Sequence, residues 1–151
     1  MKVIRFFESD RQAHWLRQIA KCDWRAGVFL HDLLQSGTFF DAVGDGSKVL
    51  LLTDGDRLVS FCTYAKWDDI QPTELSPWMG FVYTFPMYRG HRYVRYLFEE
   101  IERLAKEAQV RAVYISTNHV GLYEKYGCVF FTRLRDNAGE WSNIYVKEID
   151  A

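Results

Sequence analysis

Proline and cysteine are both scarce in this chain of 151 residues, with 3 of each. Cys22, Cys62 and Cys128 are odd in number and widely spaced, and no C-x-x-C pair occurs. That pattern excludes a disulfide scaffold and a zinc ribbon, and it reads as reduced thiols in a reducing compartment. The 4 histidines, His14, His31, His91 and His119, are dispersed without metal-ligand spacing, so no metal is expected. No run approaches the ~20 apolar residues that cross a bilayer. The start, Met1-Lys2-Val3-Ile4-Arg5, turns polar too soon for a signal peptide. The expected location is therefore cytoplasmic, with no membrane partner. A formal net charge of −1 gives no general attraction to nucleic acid, which argues against that class of partner. Neither a P-loop nor a G-x-S-x-G elbow is present. Repeats, low-complexity tracts and linkers are absent too, so one domain is expected over 1–151.

Apolar and aromatic residues are what the chain has in quantity. Hydrophobic residues make up 48% and charged residues 26%, and there are 5 Trp, 9 Tyr and 11 Phe. A chain of this size buries roughly 70% of its unfolded surface and needs no staple. Val3 to Phe7 reads as a strand. Ser9 and Asp10 are cap residues before Trp15, Leu16, Ile19 and Ala20 at helical spacing. Asp23 caps a second helix that buries Phe29, Leu30, Leu33 and Leu34 and stops at Gly37. Val49–Thr53 and Leu58–Tyr64 form a hairpin across Asp54-Gly55-Asp56. Asp68 to Pro77 is a loop, Trp78 to Phe85 a strand, and Pro86 ends it.

The next helix, over Arg89–Ala108, carries one apolar stripe: Val94, Leu97, Phe98, Ile101, Leu104, Ala105 and Ala108. Glu99, Glu100, Glu102, Arg103, Lys106 and Glu107 cover its other side. Ala112–Ser116 reads as a strand and Val120–Tyr126 as a short helix stopped by Gly127. Val129–Leu134 and Ile144–Lys147 form a last strand pair. The fold class is thus α/β (α+β mixed sheet), in the order β-α-α-β-β-β-α-β-α-β-β. One strand–helix–strand crossover gives one parallel pair; the other pairs are antiparallel. The edge strand near Ile144 is free to pair in a homodimer.

The start of the long helix is chemically odd. Tyr88-Arg89-Gly90-His91-Arg92-Tyr93-Val94-Arg95 holds three arginines and no acid. A helix N-terminus carries positive partial charge and unpaired amides, so cations there are unfavourable unless an anion joins them. Phosphates would suit, and Gly90 lets backbone approach them closely. The competing view is a solvated ridge, since the arginines are three residues apart.

Phe85-Pro86-Met87-Tyr88-Arg89-Gly90-His91 resembles the acyl-CoA motif Q/R-x-x-G-x-G/A of the GNAT superfamily of N-acetyltransferases. Asn118-His119-Val120-Gly121-Leu122-Tyr123-Glu124-Lys125-Tyr126-Gly127-Cys128 resembles the later family motif, an Asn followed by L-Y-E-K-x-G-F. The element order is also the family's. Aligned on Arg89, the motif's two small positions fall at Arg92 and Val94, where this chain departs from the pattern.

The resemblance implies acetyl-CoA as co-substrate and the primary amine of a small molecule or peptide as acceptor. It implies that Val82, Tyr83 and Thr84 pair with the pantetheine arm, where their strand splays from Ala112–Ser116. Arg89, Gly90, His91, Arg92, Tyr93, Val94 and Arg95 would hold the pyrophosphate. Asn118 would touch pantetheine or cap the short helix, and Tyr123 would protonate the leaving thiolate. Asp68, Asp69, Glu74, His119 and Tyr83 remain open as bases. Loss of the two small positions leaves a non-catalytic acyl-CoA-binding regulatory module as the alternative.

Overall fold

Seven strands form one mixed sheet in the computed structural model, which describes residues 1–71 and 73–150. They are β1 (Lys2–Arg5), β2 (Lys48–Asp54), β3 (Arg57–Ala65), β4 (Trp78–Thr84), β5 (Ala112–Thr117), β6 (Val129–Arg135) and β7 (Trp141–Glu148). The spatial order is β1-β2-β3-β4-β5-β7-β6. Among the described residues only β4 and β5 are parallel, joined by the crossover helix α4 (Val94–Glu107); the other pairs are antiparallel. The mixed α/β architecture matches the expectation.

Helices cover both faces. On one side α4 packs Leu97, Phe98, Ile101 and Leu104 against Leu50, Leu52, Cys62, Met79 and Ile115. On the other, α1 (Gln12–Ile19), α2 (Arg25–Ser36) and α3 (Phe39–Val43) pack Trp15, Ile19, Leu30, Leu33 and Phe39 against Val49, Leu51 and Phe61. This explains the unbroken run Val49-Leu50-Leu51-Leu52, all fully buried: alternate residues feed opposite cores. The stripe on α4 is as expected, with one exception. Glu100, expected on the polar side, is buried and accepts from Arg103 at 2.9 Å and Arg5 at 3.5 Å, tying α4 to β1.

Several boundaries differ from the sequence reading. The first strand stops at Arg5, and Phe6–Glu8 turns as a 3-10 segment that buries Phe6. Helix α3 was not expected. Ser9 does not cap a helix by side chain; its Oγ accepts the Arg11 amide within a tight turn. Trp24, not Asp23, is the N-cap of α2. Helix α4 begins at Val94 rather than Arg89, because Gly90 (φ +88°) and Arg92 (φ +56°) are left-handed and cannot join a right-handed helix. The expected helix over Val120–Tyr126 contracts to a 3-10 turn at Tyr123–Tyr126, after Gly121 with φ +87°. Ile144 is fully buried on β7, inside the sheet; the edge strands are β1 and β6.

Candidate active site

Strands β4 and β5 touch at one end only. Trp78 pairs with Tyr114, and the Tyr114 amide donates to Pro77 O at 3.0 Å. Beyond that bridge the strands part, so among the described residues Gly80 to Thr84 have no partner strand on the β5 side. Unpaired main chain inside a sheet is costly unless something else satisfies it. The parting opens a cleft of about 960 Å³ between the two helical layers.

Strand β4 also carries a bulge. Tyr83 stands opposite Phe61 and Gly80 opposite Thr63, so Phe81 and Val82 together face Cys62. Phe81 takes φ +51° to make the turn. Simple alternation would send Phe81 to the α4 side. The bulge instead places Gly80, Phe81 and Tyr83 on the face of α1 and α2, and Val82 on the face of α4.

The loop from Arg89 to Tyr93 closes one end of the cleft. Among the described residues, the amides of Arg92, Tyr93 and Val94 meet no acceptor. Arg89 donates from Nε to Thr84 O at 2.8 Å, and its guanidinium lies 5.3 Å from the Tyr83 ring centroid. Arg95 folds back onto the loop, donating to His91 O at 3.0 Å and Arg92 O at 3.2 Å. The arginines therefore do not form a helical ridge. Arg92 stands where the GNAT motif has its central glycine, and it keeps the left-handed backbone that glycine favours. Of the residues expected at the cofactor, Val82, Tyr83, Thr84 and Arg89 line the cleft, as do Gly90, Arg92, Tyr93 and Val94. His91 and Arg95 lie outside it; the His91 ring stacks on Tyr93 at 5.1 Å. Asn118 is also outside, turned toward Trp141 O at 3.5 Å.

Tyr123 lines the cleft from the opposite wall and is buried. Burial pushes its phenol well above the usual tyrosine range. The turn that carries it is clamped. Lys147 donates from Nζ to Tyr126 O at 2.7 Å and pairs with Glu102 at 3.1 Å, while the Tyr126 ring stacks on Phe98 at 4.9 Å.

The face of α1 and α2 brings Asp68, one of the acids open as a base, together with Thr63, Asp23 and Trp24, to which the sequence gives no place in the site. Asp68 lies against Gly80 so closely that a Cβ on Gly80 would collide with its Oδ1. The Thr63 hydroxyl lies on the same spot and is buried with no hydrogen-bond partner among the described residues. Burial, and then the charge of neighbouring Asp69, push the Asp68 carboxyl up to about 8. Tyr83 donates to Asp23 Oδ1 at 2.5 Å, and Trp24 stacks on its ring at 5.8 Å. That hydrogen bond holds the Asp23 carboxyl below its usual range. The one signal for Asp68 in the sequence is a glycine inside an aromatic-rich strand, which marks a close approach.

A parallel strand pair that splays at its crossover, with free amides at the end of the gap, is built to hold an extended phosphorylated ligand. The sequence model described as "Acetyltransferase (GNAT) family" matches residues 11–128, and the chain belongs to that family. It is therefore an acetyltransferase, with acetyl-CoA as co-substrate. No curated protein matches it. Solved structures share the fold at low identity. A protein assigned to the GNAT acetyltransferases of Desulfovibrio desulfuricans is 15% identical with a TM-score of 0.70, over 99% of each chain. An aminoglycoside 6'-N-acetyltransferase complexed with coenzyme A is 11% identical with a TM-score of 0.68, over 100% of this chain and 98% of that one. A ribosomal-protein-alanine N-acetyltransferase from Brucella melitensis is 16% identical with a TM-score of 0.62, over 99% of this chain and 100% of that one. Among the described residues no helix is long and apolar enough to cross a membrane.

Proposed function

We propose that this chain moves the acetyl group of acetyl-CoA to a primary amine of a small molecule or peptide by direct attack on the thioester. The observation that carries this reading is the parting of β4 from β5, with the Arg89–Val94 loop at one end and Tyr123 and Asp68 facing the gap. The free edge of β4 at Val82–Thr84 accepts the amide-bearing pantetheine arm as a strand would. The amides of Arg92–Val94 and the guanidiniums of Arg89 and Arg92 receive the pyrophosphate. Gly90 and His91 shape the loop and Arg95 staples it, which makes Arg95 a positioning residue.

The amine reaches the cleft as an ammonium and must lose a proton before it attacks. Asp68, poised near 8, is matched to that transfer. The nitrogen then adds to the carbonyl carbon and the oxygen becomes an oxyanion; the C–S bond breaks as the amide forms and the nitrogen gives up its second proton, which replaces the one Tyr123 passes to the thiolate. Tyr123, kept protonated by burial, donates to the departing thiolate. Asn118 orders the segment before that turn through its bond to Trp141 O.

The test is release of CoA thiol from acetyl-CoA in the presence of an amine panel, with CoA affinity measured by calorimetry. Saturable, amine-dependent release is expected. CoA binding without release for any amine would instead favour a binding module. Absence of both would overturn the reading.

A further inference from the structure

The acceptor half of the cleft has a chemistry that the cofactor half lacks. Its wall on α2 presents Phe29, which is 54% exposed and so contributes to no core. Phe29 sits 6.3 Å from Phe81, centroid to centroid, with the rings tilted by 33°. Trp24 lies flat against Tyr83 beside them, and all four rings line the cleft. The bulge in β4 is what turns Phe81 onto this wall. Next to Phe81 in the chain is Gly80, the position over which the Asp68 carboxyl lies. Consecutive Cα atoms are about 3.8 Å apart, so the acid and the aromatic wall are neighbours.

Acids predominate around this half. Asp23, Asp68 and Asp69 line it, while Arg92 belongs to the cofactor loop and Arg89 reaches only its Tyr83 edge, with the guanidinium 5.3 Å from that ring. Asp23 is already engaged by the Tyr83 hydroxyl. Asp69, Gln71 and Asn137 also line the cleft, and the Asp68 carboxyl against Gly80 has a flat apolar seat one residue away. Polar groups of an acceptor that fall against the phenyl rings find no partner there, which penalises a body that is polar all round relative to a flat apolar one.

We propose that the preferred acceptor is a primary amine carried on a short tether from a flat apolar body, an arylalkylamine. This inference rests on the transferase reading and goes beyond it. The ammonium sits at Asp68 beside Gly80, and the ring lies between Phe29, Phe81 and Trp24. Aromatic contact with the ring, rather than hydrogen bonds to it, selects the substrate.

The experiment compares kcat/KM for CoA thiol release with 2-phenylethylamine, ethanolamine, spermidine, kanamycin and a lysine-containing tripeptide. Phenylethylamine should exceed ethanolamine by roughly 10-fold or more, as burial of a phenyl ring requires. Phe29→Ala, an exposed position whose effect on folding is checked by the thermal midpoint, should reduce that ratio about tenfold. A higher kcat/KM for kanamycin, spermidine or the peptide overturns the proposal and leaves acetyl transfer standing. So does an unchanged ratio in folded Phe29→Ala. Silence across the whole panel, with CoA still bound, overturns transfer itself and the acceptor class with it.

Discussion

Single side chains decide how well this cleft works, and two of them break a local rule. Arg92 holds φ +56°, a left-handed conformation that costs a residue with a Cβ about 1–2 kcal/mol. Replacement by glycine relieves that strain but adds roughly 0.5–1 kcal/mol of unfolded-chain freedom. Arg92→Gly should therefore melt within about 3 °C of the parent while binding CoA roughly tenfold more weakly, because a charge-assisted contact to phosphate is lost. Melting curves and CoA calorimetry on one preparation check both halves.

Asp68 gives a signed pH dependence. A base raised to about 8 is protonated and idle below that pH, so kcat/KM should climb with pH and level off above about 8. The same shift acts on stability. The folded value lies above the ordinary carboxyl value of 3.8, so its contribution is full below about 4 and declines as pH rises to about 8. Asp68→Asn should flatten the activity profile and should also flatten the melting temperature between pH 4 and 8. A wild-type melting temperature that rises across that window relative to Asp68→Asn would contradict the assignment.

Elements place these side chains, and here the sequence was legible unevenly. The α4 stripe from Val94 to Ala105 and the hairpin across Asp54-Gly55-Asp56 announce themselves because their signals are local periodicity and turn chemistry. The start of α4 at Val94 is not legible in the sequence, since nothing local in Arg89–Tyr93 says that Arg92 adopts a glycine-like backbone. The bulge at Phe81 was invisible for a related reason: it depends on a register with β3 that only the folded sheet fixes. Asp68 is one of several acids open as bases in the sequence, and its position against Gly80 and Thr63 depends on the folded sheet. Asp23 shows the reverse error, read as a cap when it serves Tyr83 across 60 positions of sequence. Asn118 and Tyr123 fall within a family-like motif, yet the turn itself is only four residues long.

So short an element needs outside support, and Lys147 on β7 supplies it. Lys147→Met removes the bond to Tyr126 O and the pair with Glu102. It should lower kcat several-fold through loosened positioning of Tyr123, with KM for acetyl-CoA little changed. A variant with unchanged kcat would separate the clamp from the chemistry. Tyr123→Phe is the companion test: removing the donor should reduce kcat by ~10²-fold if it serves the departing thiolate.

At the scale of the whole molecule, one topological fact organises the rest. Parallel pairing of β4 and β5 is begun at Trp78–Tyr114 and abandoned, so the sheet is continuous for packing but open for a ligand. Two helical layers close over the opening from opposite faces. The α4 face brings Tyr123 and the loop amides, and the α1–α2 face brings Asp68 and the aromatic wall. CoA that fills the gap completes the hydrogen bonding of β4 and should raise the melting temperature as its concentration passes Kd. The most direct measurement is amide hydrogen exchange on the intact chain with and without CoA. Slowed exchange is expected at residues 80–84 and 90–94. Unchanged exchange there under saturating CoA, or protection confined to the exposed β6 edge, would contradict the account.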